Sequence, residues 1–211
     1  MVKASRLPGL LFQRLSAGLG IDLGIENFAT LSTGEVIENP KHLRAAERRL
    51  KTAQRKVSRR KRGSQRRKKA VLLLAGRHLK VKRQRADFHH KTARRLVDEF
   101  GVIVVEDLNI KGMVKNHHLA KSISDAGWNQ FIVALESKAQ REGRELIKVI
   151  SSFTSQDCSR CGERVRKTLA MREHRCIACG LVTHRDHNAA LNVKWRGRRL
   201  QGWEGMRSRE N

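Results

Sequence analysis

The sequence predicts an α/β protein carrying a long basic helical hairpin, and three observations lead there. Short β-branched runs bracket the middle of the chain. Between them lies a stretch whose apolar residues recur at heptad spacing. Two paired cysteine motifs precede the last helical segment. At 211 residues there is room for one domain of ordinary size and a small appendage. Hydrophobic residues make up 39%, enough for one modest core.

Gly20-Ile21-Asp22-Leu23-Gly24-Ile25 is a short apolar strand with one acid in its middle. Phe28 to Leu31, Ser32-Thr33-Gly34-Glu35 and Val36-Ile37 form a strand, turn and strand. Leu43, Ala46, Leu50, Ala53 and Val57 then follow the seam of a heptad helix. A second series, Leu72, Ala75, Leu79, Ala86, Ala93, Leu96 and Phe100, keeps that spacing, with Lys82 and His89 at two of its positions. Gly63-Ser64 breaks the two, which predicts an antiparallel pair over 41–100.

Val102 to Glu106 is a continuous β-branched run of the kind buried on both faces of a sheet. Ser122-x-x-Asp125 offers a capping box for a helix with Trp128, Phe131, Ile132, Leu135 and Ala139 on one face. Leu146 to Ile150 reads as another buried strand. The last helix opens within His184-Arg185-Asp186-His187-Asn188-Ala189-Ala190-Leu191-Asn192, with Asp186, Ala189, Ala190 and Val193 on a common face.

The charge narrows the partner. Lys and Arg number 46 against 20 Asp and Glu, a formal net of +26. Residues 41–95 alone hold 23 basic residues against Glu47 and Asp87, a local net of +21. A solvated coiled coil mixes both signs to stabilise itself, and this stretch does not. A polyanion is the expected partner, and nucleic acid is the default. The residues expected to carry it are Arg48, Arg55, Arg59, Arg60, Lys61, Arg62, Arg66, Arg67, Lys68 and Lys69, with Arg185 beside the last acid. No stretch approaches the roughly 20 apolar residues of a membrane span. Leu7 to Phe12 is too short a run, broken by Arg14, to form a signal peptide. All four cysteines fall in CxxC pairs, so a reducing, cytoplasmic compartment is expected.

Cys158-Ser-Arg-Cys161-Gly and Cys176-Ile-Ala-Cys179-Gly are separated by 14 residues. Each CxxC turn aims two thiolates at one point, and the glycine after it accommodates the tight turn. Four thiolates close a tetrahedral zinc site with no open position, hence one structural Zn²⁺. The competing assignment is a redox CxxC or unpaired buried thiols. His174, His184 and His187 lie nearby, but four cysteines already saturate the metal, so these histidines are expected at the surface or facing nucleic acid.

Three acids stand where packing does not call for them. Asp22 interrupts one apolar strand, Glu106 ends another, and Asp186 opens the last helix. Each alone has a bland explanation: a bulge residue, a strand-end acid, a helix cap. Together, converging carboxylates repel unless a cation sits between them, and Mg²⁺ is the usual answer. Two such ions about 3.5–4 Å apart activate a water and stabilise the leaving 3′ oxygen in phosphodiester cleavage.

Gly-Ile-Asp22-Leu-Gly, Val-Val-Glu106-Asp-Leu-Asn109, Ser155-Gln156-x-Cys158-x-x-Cys161-Gly and Arg185-Asp186-x-Asn188-Ala-Ala-x-Asn192 resemble, in order, the C-terminal half of the TnpB (OrfB) insertion-sequence proteins, which are similar to the type V CRISPR effector nucleases. The resemblance runs from about Gly20 to the last helix. It implies an RNase H-like (RuvC-type) mixed sheet with the helical hairpin inserted and a zinc ribbon before the last acid. Asp22, Glu106 and Asp186 become its Mg²⁺-binding catalytic triad, with Asp22 and Glu106 on neighbouring strands and the loop Ile110 to Lys121 a mobile lid. The implied divisions are an unmatched leader (1–19), a nuclease core (20–151), the ribbon (152–183), the final helix (184–203) and a tail (204–211). The implied activity is Mg²⁺-dependent endonucleolytic cutting of DNA, guided by RNA.

Two departures bear on this. Only about 20 unmatched residues precede the first strand, where the family carries a long region gripping guide RNA and DNA. A truncated copy, or a nuclease half working with a missing N-terminal half or another chain, is the expectation. His184 stands where the family often has the first Asp of Asp-Arg-Asp, while the catalytic second Asp is kept as Asp186. The alternative function is a non-catalytic nucleic-acid-binding module made of the hairpin and the ribbon.

The charge itself makes a prediction. If the hairpin neutralises about 6–10 phosphates, affinity for nucleic acid falls about 10³–10⁵-fold between 50 and 200 mM salt. Fluorescence anisotropy across that range measures it, and a flat titration rules the hairpin out as the footprint.

Overall fold

The computed structural model describes residues 18–168 and 170–202. The Leu7–Phe12 run, most of the leader and the tail lie outside the described residues. The described chain divides into two compact units. The first combines the stretches ending at Asn39, Ala93–Asn109 and the chain from Leu135 onward; the second combines Pro40–Thr92 and Ile110–Ala134.

The first unit holds strands β1 (Gly18–Leu23), β2 (Asn27–Leu31), β3 (Val36–Glu38), β4 (Val102–Asp107) and β5 (Glu145–Ile150) in one sheet of order β3-β2-β1-β4-β5. β1 therefore begins at Gly18, two residues inside the expected leader. Short turns join the first three strands, so β1, β2 and β3 pair antiparallel. The chain returns to the sheet only after long crossovers, so β4 pairs parallel with β1 and β5 parallel with β4, as such connections require. The ribbon adds a small two-stranded sheet, β6 (Glu173–Arg175) with β7 (Val182–His184).

The β4 run is buried at Ile103, Val104 and Val105, as its composition predicts. β5 departs from expectation. Only Val149 is buried and Ile150 is 73% exposed, because β5 is an edge strand with one neighbour.

The helices, in chain order, are α1 (His42–Ser58), α2 (Gln65–Glu99), α3 (Ile110–Met113), α4 (His117–Ala126), α5 (Trp128–Arg141) and α6 (Arg185–Leu200). α6 lies against one face of the sheet, where Val193 clusters with Val104 and Val149. Two glycines set how close it comes. A Cβ on Gly20 would fall 2.1 Å from the Ala190 carbonyl oxygen and 2.6 Å from the Lys194 nitrogen. A Cβ on Gly197 would fall 2.4 Å from a Val104 methyl.

In the second unit, Arg77 hydrogen-bonds the Arg49 carbonyl, and the His42 and Phe88 rings meet edge-on at 6.3 Å. Both pairs straddle Gly63, so α1 and the first part of α2 run antiparallel. Leu50, Ala53 and Val57 are buried along α1, in phase with the heptad. On the first part of α2 the phase fails: Leu72 is 72% and Leu79 43% exposed, Ala75 is exposed too, and Val81 is buried instead, whereas His89, Ala93 and Leu96 are buried in phase. A straight helix drifts about 20° per heptad, so a seam fitted at Ala93 and Leu96 is turned by roughly 70° at Leu72.

The capping-box assignment is also corrected. Ser122 and Asp125 lie inside α4, whose cap is Asn116, accepting from the His118 N–H. Asp125 instead accepts from the Leu43 N–H at 2.9 Å and the Arg44 N–H at 3.3 Å, and pairs with Arg85 at 3.2 Å. It caps α1 from another helix because Lys41, at the cap position, carries no acceptor. Ile110 to Lys121, expected as a loop, is α3 and the first half of α4. The α5 face of Trp128, Phe131, Ile132, Leu135 and Ala139 is buried as expected. No helix among the described residues is long and apolar enough to cross a membrane.

Gly20→Ala is expected to cost roughly 3 kcal/mol or more, since the added methyl meets backbone rather than a flexible side chain. Gly76→Ala, on α2 with nothing within 4 Å, is expected to stabilise by about 0.5–1 kcal/mol. Urea denaturation of both variants checks the pair.

Candidate active site and metal centre

Register and face bring two of the three acids together. Ile21 pairs with Val105, so Asp22 and Glu106 follow side by side on parallel strands. Side chains alternate along a strand, so Asp22 shares a face with Gly20, and Glu106 with Val104. That is the face α6 covers. The first turn of α6 carries Asp186, while the capping role that could explain an acid there belongs to His184, which accepts from the Asp186 N–H.

The electrostatics couple Asp22 to both other acids. Asp22 is held well above the usual carboxylate range, first by burial, then by the Glu106 and Asp186 carboxylates, with Arg185 opposing. Burial also raises Glu106, and a hydrogen bond from Thr154 and the nearby Arg196 guanidinium draw it back. Carboxylates crowded in this way suit a hard divalent cation, which would relieve both burial and repulsion. They are not drawn into a tight cluster: among the described residues, only the cysteines form a group whose ligand atoms all lie within 4.8 Å of one another.

That cysteine group is Cys158, Cys161, Cys176 and Cys179. The two knuckles repeat one geometry. The Gly162 N–H donates to the Cys158 carbonyl and the Gly180 N–H to the Cys176 carbonyl, each at 2.9 Å. Both glycines have positive φ, 84° and 73°, a backbone that a side chain would strain. Cys158 and Cys179 sulfurs lie 3.6 Å apart, Cys161 and Cys176 sulfurs 3.5 Å. Tetrahedral thiolates at a Zn–S distance of about 2.3 Å are separated by about 3.8 Å, so four sulfurs so placed could hold a metal ion.

Around these two centres lie residues that sequence reasoning missed. Thr154 donates to Glu106 Oε1 at 2.6 Å. Asn188 Oδ1 accepts from the Ser159 N–H at 2.9 Å, and its amide donates to the Asp157 carbonyl at 2.8 Å. Asn192 donates to the Thr154 and Asp157 carbonyls at 2.8 and 2.7 Å. The Asp157 carboxylate takes Arg164 at 2.9 Å and Arg196 at 3.4 Å. The i,i+4 pair of asparagines among alanines was a usable signal, since buried amides require partners. Thr154 gave none.

His174 corrects an expectation: it is fully buried rather than surface-facing, with Lys167 against its Nδ1. Burial, then Arg185, lowers Lys167 to about 8. His187 is half-buried, with its ring against Thr183 Oγ1 and the Ser32 carbonyl, and His184 is exposed.

In the second unit, Arg48, Arg55, Arg59, Arg60, Lys61, Arg62, Arg66, Lys68 and Lys69 are exposed and Arg67 is half-buried. The two acids of this stretch are already engaged, Glu47 by Lys51 and Lys121, and Asp87 by Lys91. The basic face thus has few internal counterions.

The fold and site define a mixed α/β protein whose sheet ends gather carboxylates. A family model described as "Probable transposase" (OrfB) matches residues 16–117, and a Cas12f1-like TNB domain model matches residues 128–193. A "Putative RNA-guided DNA endonuclease" of Streptomyces pristinaespiralis is 46% identical over 180 residues, 84% of this chain and 44% of that protein. "TnpB-like protein L79" of Acanthamoeba polyphaga mimivirus is 27% identical over 122 residues, 55% of this chain and 23% of that protein. The chain belongs to the TnpB (OrfB) family. It spans less than half the length of these curated relatives. A solved CRISPR-Cas12f ternary complex shares the fold, with a TM-score of 0.64 at 22% identity over 85% of this chain and 38% of that one.

The raised Asp22 sets a pH dependence. The unfolded chain ionises Asp22 near 3.8, while the folded chain resists ionisation until higher pH. Without divalent cation, this group therefore costs stability as pH rises from 3.8 to its folded value, and the cost persists above it. Asp22→Asn is expected to melt higher than the parent at pH 7 without Mg²⁺ or Mn²⁺. The gain fades as pH falls past 3.8, which thermal melts across pH measure.

Proposed function

We propose that the chain is the nuclease part of a TnpB-type protein: a RuvC-like, RNase H-type core that cuts DNA with divalent metal, working with a guide RNA. The observation that carries this is the convergence of Asp22, Glu106 and Asp186 in a protein with more than twice as many bases as acids. A binder of polyanions gains nothing from setting one buried and two half-buried acids close together. The names of the relatives support the same direction.

Asp22, Glu106 and Asp186 are the residues that would hold two Mg²⁺ ions. When bound, those ions supply an activated water and stabilisation of the leaving 3′ oxygen. Arg185 offsets charge at Asp22 and Arg196 at Glu106, so the carboxylates stay ionisable in a partly buried site. Cys158, Cys161, Cys176 and Cys179 would hold one structural Zn²⁺, within a ribbon of about 152–183. The exposed arginines and lysines of α1, the Gly63 turn and α2 would grip phosphates without reading sequence, with Arg185 closer to the acids. The proposed divisions are the nuclease core from the start of β1 to about 151, with its inserted hairpin, then the ribbon and the closing helix.

The test incubates the purified chain with single-stranded DNA and Mg²⁺ or Mn²⁺, with and without co-purified RNA. A second arm supplies the N-terminal half of a full-length relative in trans. Asp22→Ala, Glu106→Ala and Asp186→Ala are each expected to abolish metal-dependent cleavage while leaving DNA binding equal or slightly tighter. Cleavage absent in every arm, with a melting temperature indifferent to Mg²⁺, leaves the non-catalytic binding module as the function.

A further inference from the structure

Glu106 does not stand alone at the end of β4. Its Oε1 accepts from the Thr154 hydroxyl at 2.6 Å, and both residues are buried. The same hydroxyl lies 3.0 Å from the Ser151 carbonyl. A hydroxyl has one proton to give, and an ionised carboxylate at the shorter distance is the stronger acceptor. Thr154 therefore spends its proton on Glu106 whenever Glu106 is charged.

Thr154 is itself held in place through its carbonyl and the turn before it. Asn192 of α6, also buried, donates to its carbonyl at 2.8 Å and to the Asp157 carbonyl at 2.7 Å. Its predecessor, Phe153, has φ of 64°, a left-handed backbone that an aromatic residue rarely adopts. That conformation is maintained by the Gln156 and Asp157 N–H groups, both donating to the Phe153 carbonyl at 2.9 Å, and by Arg164 stacked 3.8 Å over its ring. Strained backbone persists where its surroundings over-determine it, and such positions cluster at functional sites. Here the strain lies between the end of β5 and the first cysteine, and it turns the threonine hydroxyl back toward β4.

We propose that Thr154 is a positioning residue for Glu106, fixed by Asn192 of α6 and the first turns of the cysteine ribbon, so that one carboxylate oxygen is occupied and the other is left for a divalent cation. The inference rests on the metal-binding role given above to Asp22, Glu106 and Asp186. It links all three parts of the unit: the strand bearing Glu106, the helix bearing Asp186, and the ribbon entering Cys158. It also gives the cysteine site a task beyond local folding, because the loop that ends at Cys158 orients a carboxylate of the other centre.

The experiment measures Mn²⁺ binding to the full, zinc-replete chain by electron paramagnetic resonance, with zinc content and melting temperature determined in parallel. The variants are Asp22→Ala, Thr154→Ser, Thr154→Val and Thr154→Ala. Partners of metal ligands typically contribute about 10–100-fold in metal affinity. Thr154→Val and Thr154→Ala are therefore expected to weaken Mn²⁺ binding about tenfold or more at unchanged zinc content, and Thr154→Ser to stay within about twofold of the parent. Parent-like Mn²⁺ binding by Thr154→Val and Thr154→Ala overturns the positioning role while leaving the metal site intact. Loss of zinc or of the melting transition in both variants assigns Thr154 a purely structural role and overturns the proposal too. Equal Mn²⁺ binding by the parent and Asp22→Ala overturns the metal-site assignment itself, and with it this inference.

Discussion

Two glycine contacts, Gly20 under Ala190 and Lys194, and Gly197 against the Val104 side chain, govern the rest of the first unit. A helix normally sits on a sheet through interdigitating side chains, which hold the two backbones apart. Here α6 comes closer over β1, because at Gly20 there is nothing to hold it off. The approach fixes the height of α6 above β1 and β4, and its length then carries the first turn to the strand ends. Asp186 reaches Asp22 electrostatically for that reason. A methyl at Gly20 would lift the helix and remove the acid from its partners, so the site depends on an atom that is missing.

The cost of the arrangement is electrostatic. Asp22 is disfavoured as a carboxylate by burial and by two like charges, which is an expensive state in a chain with so many cations to spare. The cations are not spent to neutralise it. Most basic residues of α1 and α2 are exposed, and among the described residues the cations that act on Asp22 and Glu106 are Arg185 and Arg196. Each offsets one acid, leaving a residual negative field that invites a small divalent ion more than a lysine or arginine head group. A fully paired cluster would be more stable and would bind no metal.

Much of this was legible in the sequence because it follows period and chemistry. The strands from Gly20, Phe28, Val36 and Val102, and the α5 face from Trp128 to Ala139, stand out through apolar repetition alone. So did the cysteine pairs, whose spacing reports the knuckle directly. What failed did so for identifiable reasons. The Leu72–Leu79 phase assumed a supercoiled heptad for a helix that drifts. Ser122 and Asp125 have the residue types of a capping box, yet the backbone that Asp125 caps belongs to α1, with Leu43 82 residues away. Edge exposure at Ile150 depends on sheet order, which local pattern does not contain. Thr154 was invisible because its role exists only once β4, α6 and the ribbon are side by side.

The ribbon's place in the chain follows from the same geometry. β5 ends at an exposed Ile150 and α6 begins at Arg185, so a connection of more than 30 residues must return to the strand ends. Among its described residues, the buried ones are Thr154, Cys158, Ser159, His174 and Cys176, with no aliphatic or aromatic side chain except the histidine ring. Such a segment cannot meet its ordering entropy by apolar burial. A metal held by four thiolates can, since binding energy at a site absent from the unfolded chain is folding energy. The polar clamp from Asn188, Asn192 and Arg196 to Asp157 then transmits that local order to α6 and, through Thr154, to Glu106. An apolar connection could close the same gap, but it would present no hydroxyl or amide to the carboxylate. Hydrogen bonds, with four cysteines placed so that they could hold a metal, stand in for a core and let a loop with little apolar burial hold one side of an ionisable site.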